Sequence, residues 1–338
     1  MRIRLTDIAE HAGTSISTVS RVMNGKPGVA DDVRQRVLAA MDLLGYERPK
    51  QTRGRAAGLV GLVVPELSNP IFPAFAQAVE NVLAMHGYTP LLCTQSPGGT
   101  TEDAYIDALI DHQVDGIVFV SGLHADTRAH HGRYHDLATR GVPMVLVNGY
   151  APDVPAPSIS ADDAAGVELA LRHLVSLGHR RIGLVVGQER FVPAQRKTAA
   201  FVRCLVAMGL AGDEAEARTH VVTSFYSLEG GQASTTELLA SGHTAVVCAS
   251  DMMALGAVRA ASAAGHDVPR GLSVVGYDDS LLAAYAHPAL TTVRQPVDAM
   301  SQAAVSTLLA QIGGERVSRT ELLFAPELVA RHSTGTAP

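Results

Sequence analysis

Four polar side chains, Ser17, Ser20, Arg21 and Asn24, recur at i, i+3, i+4 and i+7 within ISTVSRVMN, so a helix through this segment gathers them on one face. That set has a definite chemistry. A guanidinium can bond bidentately to the O6 and N7 edge of guanine, and small hydroxyls suit phosphate oxygens. Val19, Val22 and Met23 form the opposite, apolar face. Upstream, Leu5, Ile8, Ala9 and Ala12 have the spacing of a first helix; Gly13 stops it, and Thr14 and Ser15 offer hydroxyls that can cap the second. Two short helices about a tight turn, with a small polar face bearing one Arg, are what a helix-turn-helix needs to enter a major groove. The pattern alone also fits an ordinary helical hairpin.

The surrounding chain must hold this face in place. A third helix is expected from Asp31 and Asp32, which can cap it, through Val33, Val37, Met41 and Leu44 to a stop at Gly45. Three helices make an all-α head over residues 1–46. ERPKQTRGRAAG (47–58) breaks the pattern with Pro49, two glycines and four basic residues, and reads as a basic linker. From Leu59 to residue 338 a different grammar begins. Short Val/Ile/Leu runs follow helix ends again and again, as in LATRGVPMVLVNG, LVSLGHRRIGLVVG and AAGHDVPRGLSVVGYDD. Continuous apolar strands alternating with helices indicate parallel sheets built of βαβ units. The proline-rich APDVPAPS (151–158) interrupts the series and a fresh one starts at Asp162, so an α/β core of two doubly wound parallel-sheet lobes is expected. Ligands then belong at the carboxyl ends of the strands, between the lobes.

Composition sets limits on function. With 338 residues, 47% hydrophobic and 18% charged, the chain is long enough for two or three globular domains. No run approaches the ~18 apolar residues of a membrane span. MRIRLTDIAE runs straight into the first helix without an apolar stretch, so a cytoplasmic protein without a secretory signal is expected. Cys93, Cys204 and Cys248 fit no disulfide or metal spacing. The net charge of −6 is unevenly spread: residues 1–58 hold ten Lys/Arg against six Asp/Glu, the remainder 17 against 27. A basic head on an acidic body suits a protein that meets a polyanion with its head only.

With head, linker and two lobes in order, the chain resembles the LacI/GalR family of transcription regulators over essentially its full length. The segments that carry the resemblance are DIAEHAGTSISTVSRVMNG, LGYE, GLVVPELSNPIF, HLVSLGHRRIGLVVG, ASDMMALGAVRA, LSVVGYDD and LTTVRQP. It implies a homodimeric, sequence-specific DNA-binding repressor with a periplasmic-binding-protein-like core, an inverted-repeat operator, and a small-molecule effector, most often a sugar. Lobe 1 is then expected at about 59–158 and 291–324, lobe 2 at about 159–290 and 325–338. The positions that match base readers are Ile16, Ser17 and Arg21, although Ile16 can equally be buried beside Val19. Thr14, Ser15, Thr18, Ser20 and Asn24 match phosphate contacts. In the core, Lys197 stands where the family usually has a ligand-holding Arg, and Arg196 beside it can serve instead. Asp251 and Asp278 match strand-end carboxylates that accept from ligand hydroxyls; a helix cap and a turn are their alternative readings. Tyr226 and Phe72 match aromatic walls of the cleft, with core packing as the alternative. The linker departs from the family pattern. It is shorter between Tyr46 and Gly61, Gly54 and Gly58 disfavour a hinge helix, and Leu59 is the sole candidate for a groove wedge. Arg48, Lys50, Arg53 and Arg55 are therefore expected to act as a basic arm on phosphates.

One cluster invites a metal reading, His124, His130, His131 and His135 in LHADTRAHHGRYH, where His131 and His135 stand at i, i+4. No HExxH glutamate accompanies them, and a surface or cleft-rim role is the expectation, with no metal and no cofactor. No GxSxG elbow, P-loop or GxGxxG fingerprint occurs, which leaves an enzyme without a foothold. A transporter-feeding solute-binding protein would share the two lobes but not the basic three-helix head.

Overall fold

A computed structural model of the chain describes residues 3–23, 28–44, 46, 58–95 and 99–338. Asn24, Gly45 and the arm residues Arg48, Lys50, Arg53 and Arg55 lie outside this set. The chain divides into two compact units between residues 57 and 58.

The first unit contains α1 (Leu5–His11), α2 (Ile16–Met23) and α3 (Asp31–Leu43). Their apolar stripes meet in a small core of Ile8, Ala9, Ala12, Val19, Val22, Val37 and Ala40. Complete burial of Val19 alone contributes about 1.5–3 kcal/mol. Gly13 turns the chain at φ +61°, a conformation that disfavours any residue with a Cβ. The Ser15 hydroxyl then accepts from the Thr18 N–H at 3.1 Å and caps α2, so Ser15 supplies the cap and Thr14 does not. The expected cap of α3 also moves. Ala30 is the N-cap, and Asp31 and Asp32 stand in the first turn, where carboxylates complement the helix dipole.

The second unit holds two six-stranded sheets. Lobe 1 carries β1 (Leu59–Val64), β2 (Thr89–Thr94), β3 (Gly116–Val120), β4 (Met144–Val147), β5 (Ser158–Ala161) and β11 (Glu321–Phe324) in the order β11-β5-β4-β3-β1-β2, all parallel. Lobe 2 carries β6 (Ile182–Val186), β7 (Val221–Thr223), β8 (Ala245–Cys248), β9 (Ser273–Asp278), β10 (Thr291–Arg294) and β12 (Glu327–Val329) in the order β12-β10-β9-β8-β6-β7. Only the β10–β12 pair is antiparallel. Each lobe therefore has one switch point, between β1 and β3 and between β6 and β8.

Helices cover both faces of each sheet, which is why the central strands are buried from end to end. In lobe 1, alternate residues of β3 point opposite ways. Val118 and Val120 pack beneath α4 (Ile71–Met85) and α13 (Val297–Ile312), while Ile117 and Phe119 pack beneath α5 (Glu102–Asp111) and α6 (Gly132–Thr139). Lobe 2 is enclosed by α7 (Asp163–Ser176), α8 (Val192–Ala207), α9 (Glu214–Arg218), α10 (Leu228–Ala240), α11 (Asp251–Ala263) and α12 (Leu281–Tyr285). Cys93, Cys204 and Cys248 are free thiols buried in the two lobes.

The lobe boundaries expected from the sequence need two corrections. Thr291–Arg294 pairs with Val275–Asp278 and so belongs to lobe 2, not lobe 1. Ser158–Ala161 joins β11 and β4 in lobe 1. The proline-rich stretch misled because it is a return within lobe 1, where Ala151, Val154 and Ala156 join the buried cluster. The chain thus crosses between lobes three times: at Asp162, at Gln295–Pro296, and between Phe324 and Glu327. Leu59 opens β1, its N–H bonded to the Asp115 carboxylate at 3.0 Å, which makes it a core strand residue. Among the described residues, no helix is long and apolar enough to cross a membrane.

Candidate functional site

A cavity of about 260 Å³ lies between the lobes, and its lining is drawn from strand ends. Pro65 and Glu66 follow β1, Ser121 follows β3 and Asn148 follows β4 in lobe 1; Ala249 and Ser250 follow β8, and Asp278 ends β9, in lobe 2. Gln295 enters from the crossing after β10, and Asp163 from the crossing after β5. Carboxyl ends of parallel strands are where an α/β sheet exposes a crevice, so two such sheets facing each other make one enclosed site. Phe72, Phe191 and Tyr226 add three aromatic rings.

Of the six core residues expected from the sequence, four reach the cavity: Phe72, Lys197, Tyr226 and Asp278. Tyr226 lies against Gly187, where a Cβ would come within 1.9 Å of its ring, so this approach requires glycine. Lys197 is 4% exposed and pairs with the Asp163 carboxylate, with its Nζ 4.1 Å from the centre of the Tyr277 ring. Burial pushes the Asp163 carboxyl upward and Lys197 pulls against it. From the sequence, Asp278 and the Arg196/Lys197 pair are expected on opposite walls of the cleft; instead Lys197 on α8 and Asp278 at the end of β9 both belong to lobe 2.

Asp278 holds φ at +110° and Asp279 at +53°, unusual for residues that carry a Cβ. Asp279 is anchored there by Arg294 at 2.7 Å and Arg331 at 2.6 Å. Asp278 accepts from Gln295 Nε2 at 2.7 Å, while Gln295 Oε1 accepts from Asn148 Nδ2 at 3.0 Å. One side chain thus links a lobe 1 strand end to a lobe 2 strand end. Burial first, and the neighbouring Asp251 second, push Asp278 well above the usual carboxylate range, so its carboxyl can donate as well as accept.

Arg196 and Asp251 do other work. Arg196 turns from the cavity and makes a bidentate bond to Glu321 of lobe 1 at 2.7 and 2.8 Å, a brace between α8 and β11. Its neighbour Lys197 faces inward because adjacent helical residues point about 100° apart. Asp251 is 1% exposed and accepts from Thr292 Oγ1 and from the Ser280 N–H, both at 2.6 Å. It fastens the loop after β9 to β10, and burial raises it to about 6. Nor is it the cap of α11, which is Ser250.

Asp163, Phe191, Asn148, Ser121 and Gln295 were not singled out from the sequence. Four of them share one signal. They stand within two residues of a strand's carboxyl end, in FVSG, VLVNG, SISADD and TTVRQP, although only the first two of these strands are apolar runs. Phe191 is held by a clasp between the lobes: it forms a β-bridge with Asp126, and Thr127 donates through N–H and Oγ1 to the Arg190 carbonyl, each at 2.8 Å. The histidine cluster lies beside this clasp. His131 Nδ1 is 3.1 Å from the Asp153 carboxylate, His135 is 3.8 Å from it, and His124 is fully buried rather than at a rim. Only His135 lies in α6, so the i, i+4 helix face does not form. Among the described residues, no group of three or more metal-ligating side chains is arranged to hold an ion.

In the separate head, α2 presents Ser17 and Arg21 to solvent. Ile16 is 48% exposed, so it is not spare core beside Val19. Thr14, Thr18 and Ser20 are half-buried along the same helix and its entry, and no acidic residue occupies the first turn. Anions are therefore unopposed at the amino end of α2.

Residues 4–49 match the family model described as bacterial regulatory proteins, lacI family, and residues 171–334 match a periplasmic binding protein-like domain. The chain is 58% identical over 339 residues to the HTH-type transcriptional regulator reg1 of Streptomyces lividans, covering 100% of this chain and 98% of that protein. Among solved structures it resembles a transcriptional regulator CelR–cellobiose complex with a TM-score of 0.72 and 30% identity, over 98% of this chain and 100% of that one. It also resembles a Lac repressor dimer bound to operator and the anti-inducer ONPF, with a TM-score of 0.70 and 27% identity, over 99% of this chain and 100% of the other.

Proposed function

The chain belongs to the LacI family of DNA-binding transcriptional regulators, and on that premise we propose that it is a cytoplasmic, homodimeric repressor whose operator affinity is set by a sugar held between its lobes. The observation that carries the sensing half is the cavity gathered from the strand ends of both sheets. A ligand there touches both lobes and so has different affinities for different lobe arrangements, which is the requirement for any ligand to shift a conformational equilibrium. Sugar chemistry fits the lining. Asp278, Asn148, Gln295 and Ser121 offer donors and acceptors for hydroxyls, and Phe72, Phe191 and Tyr226 supply apolar surface for the ring faces.

In the head, Arg21, Ser17 and Ile16 are assigned to base edges and Thr14, Ser15, Thr18, Ser20 and Asn24 to phosphates. Arg53 and Arg55 are assigned to the backbone as a basic arm. Two-fold symmetry of a dimer calls for an inverted-repeat operator. The test is a gel-shift with DNA from upstream of the protein's own gene, with and without a panel of neutral sugars. Retention on a symmetric site, altered by one sugar, is expected; indifference of the complex to every sugar, or a footprint without symmetry, would count against the reading.

A further inference from the structure

Among the described residues lining the cavity, Lys197 supplies the sole side-chain cation, and its charge is already engaged. The ammonium is paired with Asp163, which is itself 6% exposed, and sits against the Tyr277 ring, whose hydroxyl also bonds Asp163 at 3.4 Å. The adjacent guanidinium of Arg196 is turned away and held by Glu321. Glu66, whose carboxylate accepts from Ser68 Oγ at 2.6 Å, and Asp278 also line this space. The count is three carboxyls to one ammonium, and even with Asp278 protonated no positive charge is left over. An anionic group entering this site would lose its hydration, find no counter-charge and approach fixed carboxylates. Such placement is strongly unfavourable in a buried environment. Uncharged hydroxyls meet no such obstacle.

We propose that Asp163, by holding the Lys197 ammonium as a closed neutral pair, makes this cavity select uncharged saccharides and reject their phosphate esters and acids. The assignment rests on the reading of the cavity as a saccharide site, and it names both the class of sugar and the residue that enforces it. Asp163 acts through Lys197 as a specificity-setting neighbour, and replacing it with a neutral residue exposes an unsatisfied ammonium to the ligand.

The experiment is calorimetry on the full chain with glucose, galactose, ribose, maltose and cellobiose, then with the phosphate ester of the tightest binder. The ester is expected to bind at least about 100-fold more weakly than its parent sugar, because like-charge juxtaposition costs several kcal/mol. In Asp163→Asn that ratio should narrow by at least about tenfold, and a second substitution, Lys197→Met, should restore the exclusion. Asp163→Ser, also neutral, replaces Asp163→Asn if the latter does not fold. Comparable affinity of the wild type for sugar and ester, or a ratio unchanged in both Asp163 variants, would overturn the proposal. Inorganic phosphate provides an independent arm: it should raise the Tm of the Asp163 variant and leave the wild type unmoved. If no sugar binds, the saccharide reading fails by itself, while a phosphate-induced stabilisation of the wild type would still refute the charge assignment.

Discussion

At the scale of single residues, the head and the core ask different things of their side chains. Arg21 stands exposed on α2, and its assigned role is a bidentate bond to a guanine edge. Arg21→Ala should weaken operator binding by about 1–3 kcal/mol and leave binding to random DNA nearly unchanged in a parallel titration. An equal loss on both DNAs would make Arg21 a phosphate contact. Asp278 is buried, lines the cavity and accepts from Gln295, and its assigned role is to bond the ligand as well. Asp278→Ala should remove the sugar response in a gel-shift, while the variant still retards operator DNA. A variant that still responds at the wild-type sugar concentration would remove Asp278 from the site.

At the scale of elements, the lobes are tied at both edges of the cleft: by the Arg196–Glu321 brace near the crossings and by the Asp126–Phe191 clasp. Removing either half of the brace should bias the lobe equilibrium by the same amount. Arg196→Gln and Glu321→Gln, alone or together, are therefore expected to shift the half-effective sugar concentration by one common factor, read from dose–response curves. Independent, additive shifts would show that the pair does not act as a unit. The linker makes a separate prediction: neutralising Arg53 and Arg55 should flatten the log–log salt dependence of operator binding by a dimer by up to about 3.6, roughly 0.9 for each of its four arginines. No change in slope would deny the arm its phosphates. The elements were largely legible in the chain, because period 3.6 in the head and apolar runs ending in polar residues in the core are local signals. The pairing of strands was not legible. Which sheet accepts Thr291–Arg294 depends on β9, and nothing within TTVR says so. The site shows the same division. Phe72, Lys197, Tyr226 and Asp278 could be placed, but Arg196 and Asp251 are claimed by partners 125 and 41 residues away, Glu321 and Thr292. Chemical type alone could not separate a ligand carboxylate from one that fastens a loop.

For the molecule as a whole, buried ionisable groups set opposing pH limits. Burial lowers His124 to about 3, against about 6.5 when unfolded. The unfolded chain therefore binds the extra proton as pH falls below about 6.5, and stability present above that pH is lost toward 3, by roughly 5 kcal/mol if fully expressed. His124→Gln should accordingly make the acid limb of a Tm-versus-pH curve shallower between about pH 6.5 and 4. Asp251 has the opposite sign: raised to about 6 when folded, it favours the fold below its ordinary value and withdraws that support as pH rises through 6. An acid limb unaltered in His124→Gln would show that other groups govern it. The threefold crossing of the chain also sets a timetable for synthesis. The sheet of lobe 1 is closed by β11 and that of lobe 2 by β12, which ends at Val329, whereas the head takes its core from residues before 46. At ~5–20 residues per second, roughly 280 further residues separate a finished head from a closed sensor, an interval of roughly 15–60 s. Each newly made molecule is thus born with its DNA-reading end complete and its sugar sensor still unassembled. A chain cut short before β11 would carry every residue of the head's core and lack the strand that completes the lobe 1 sheet.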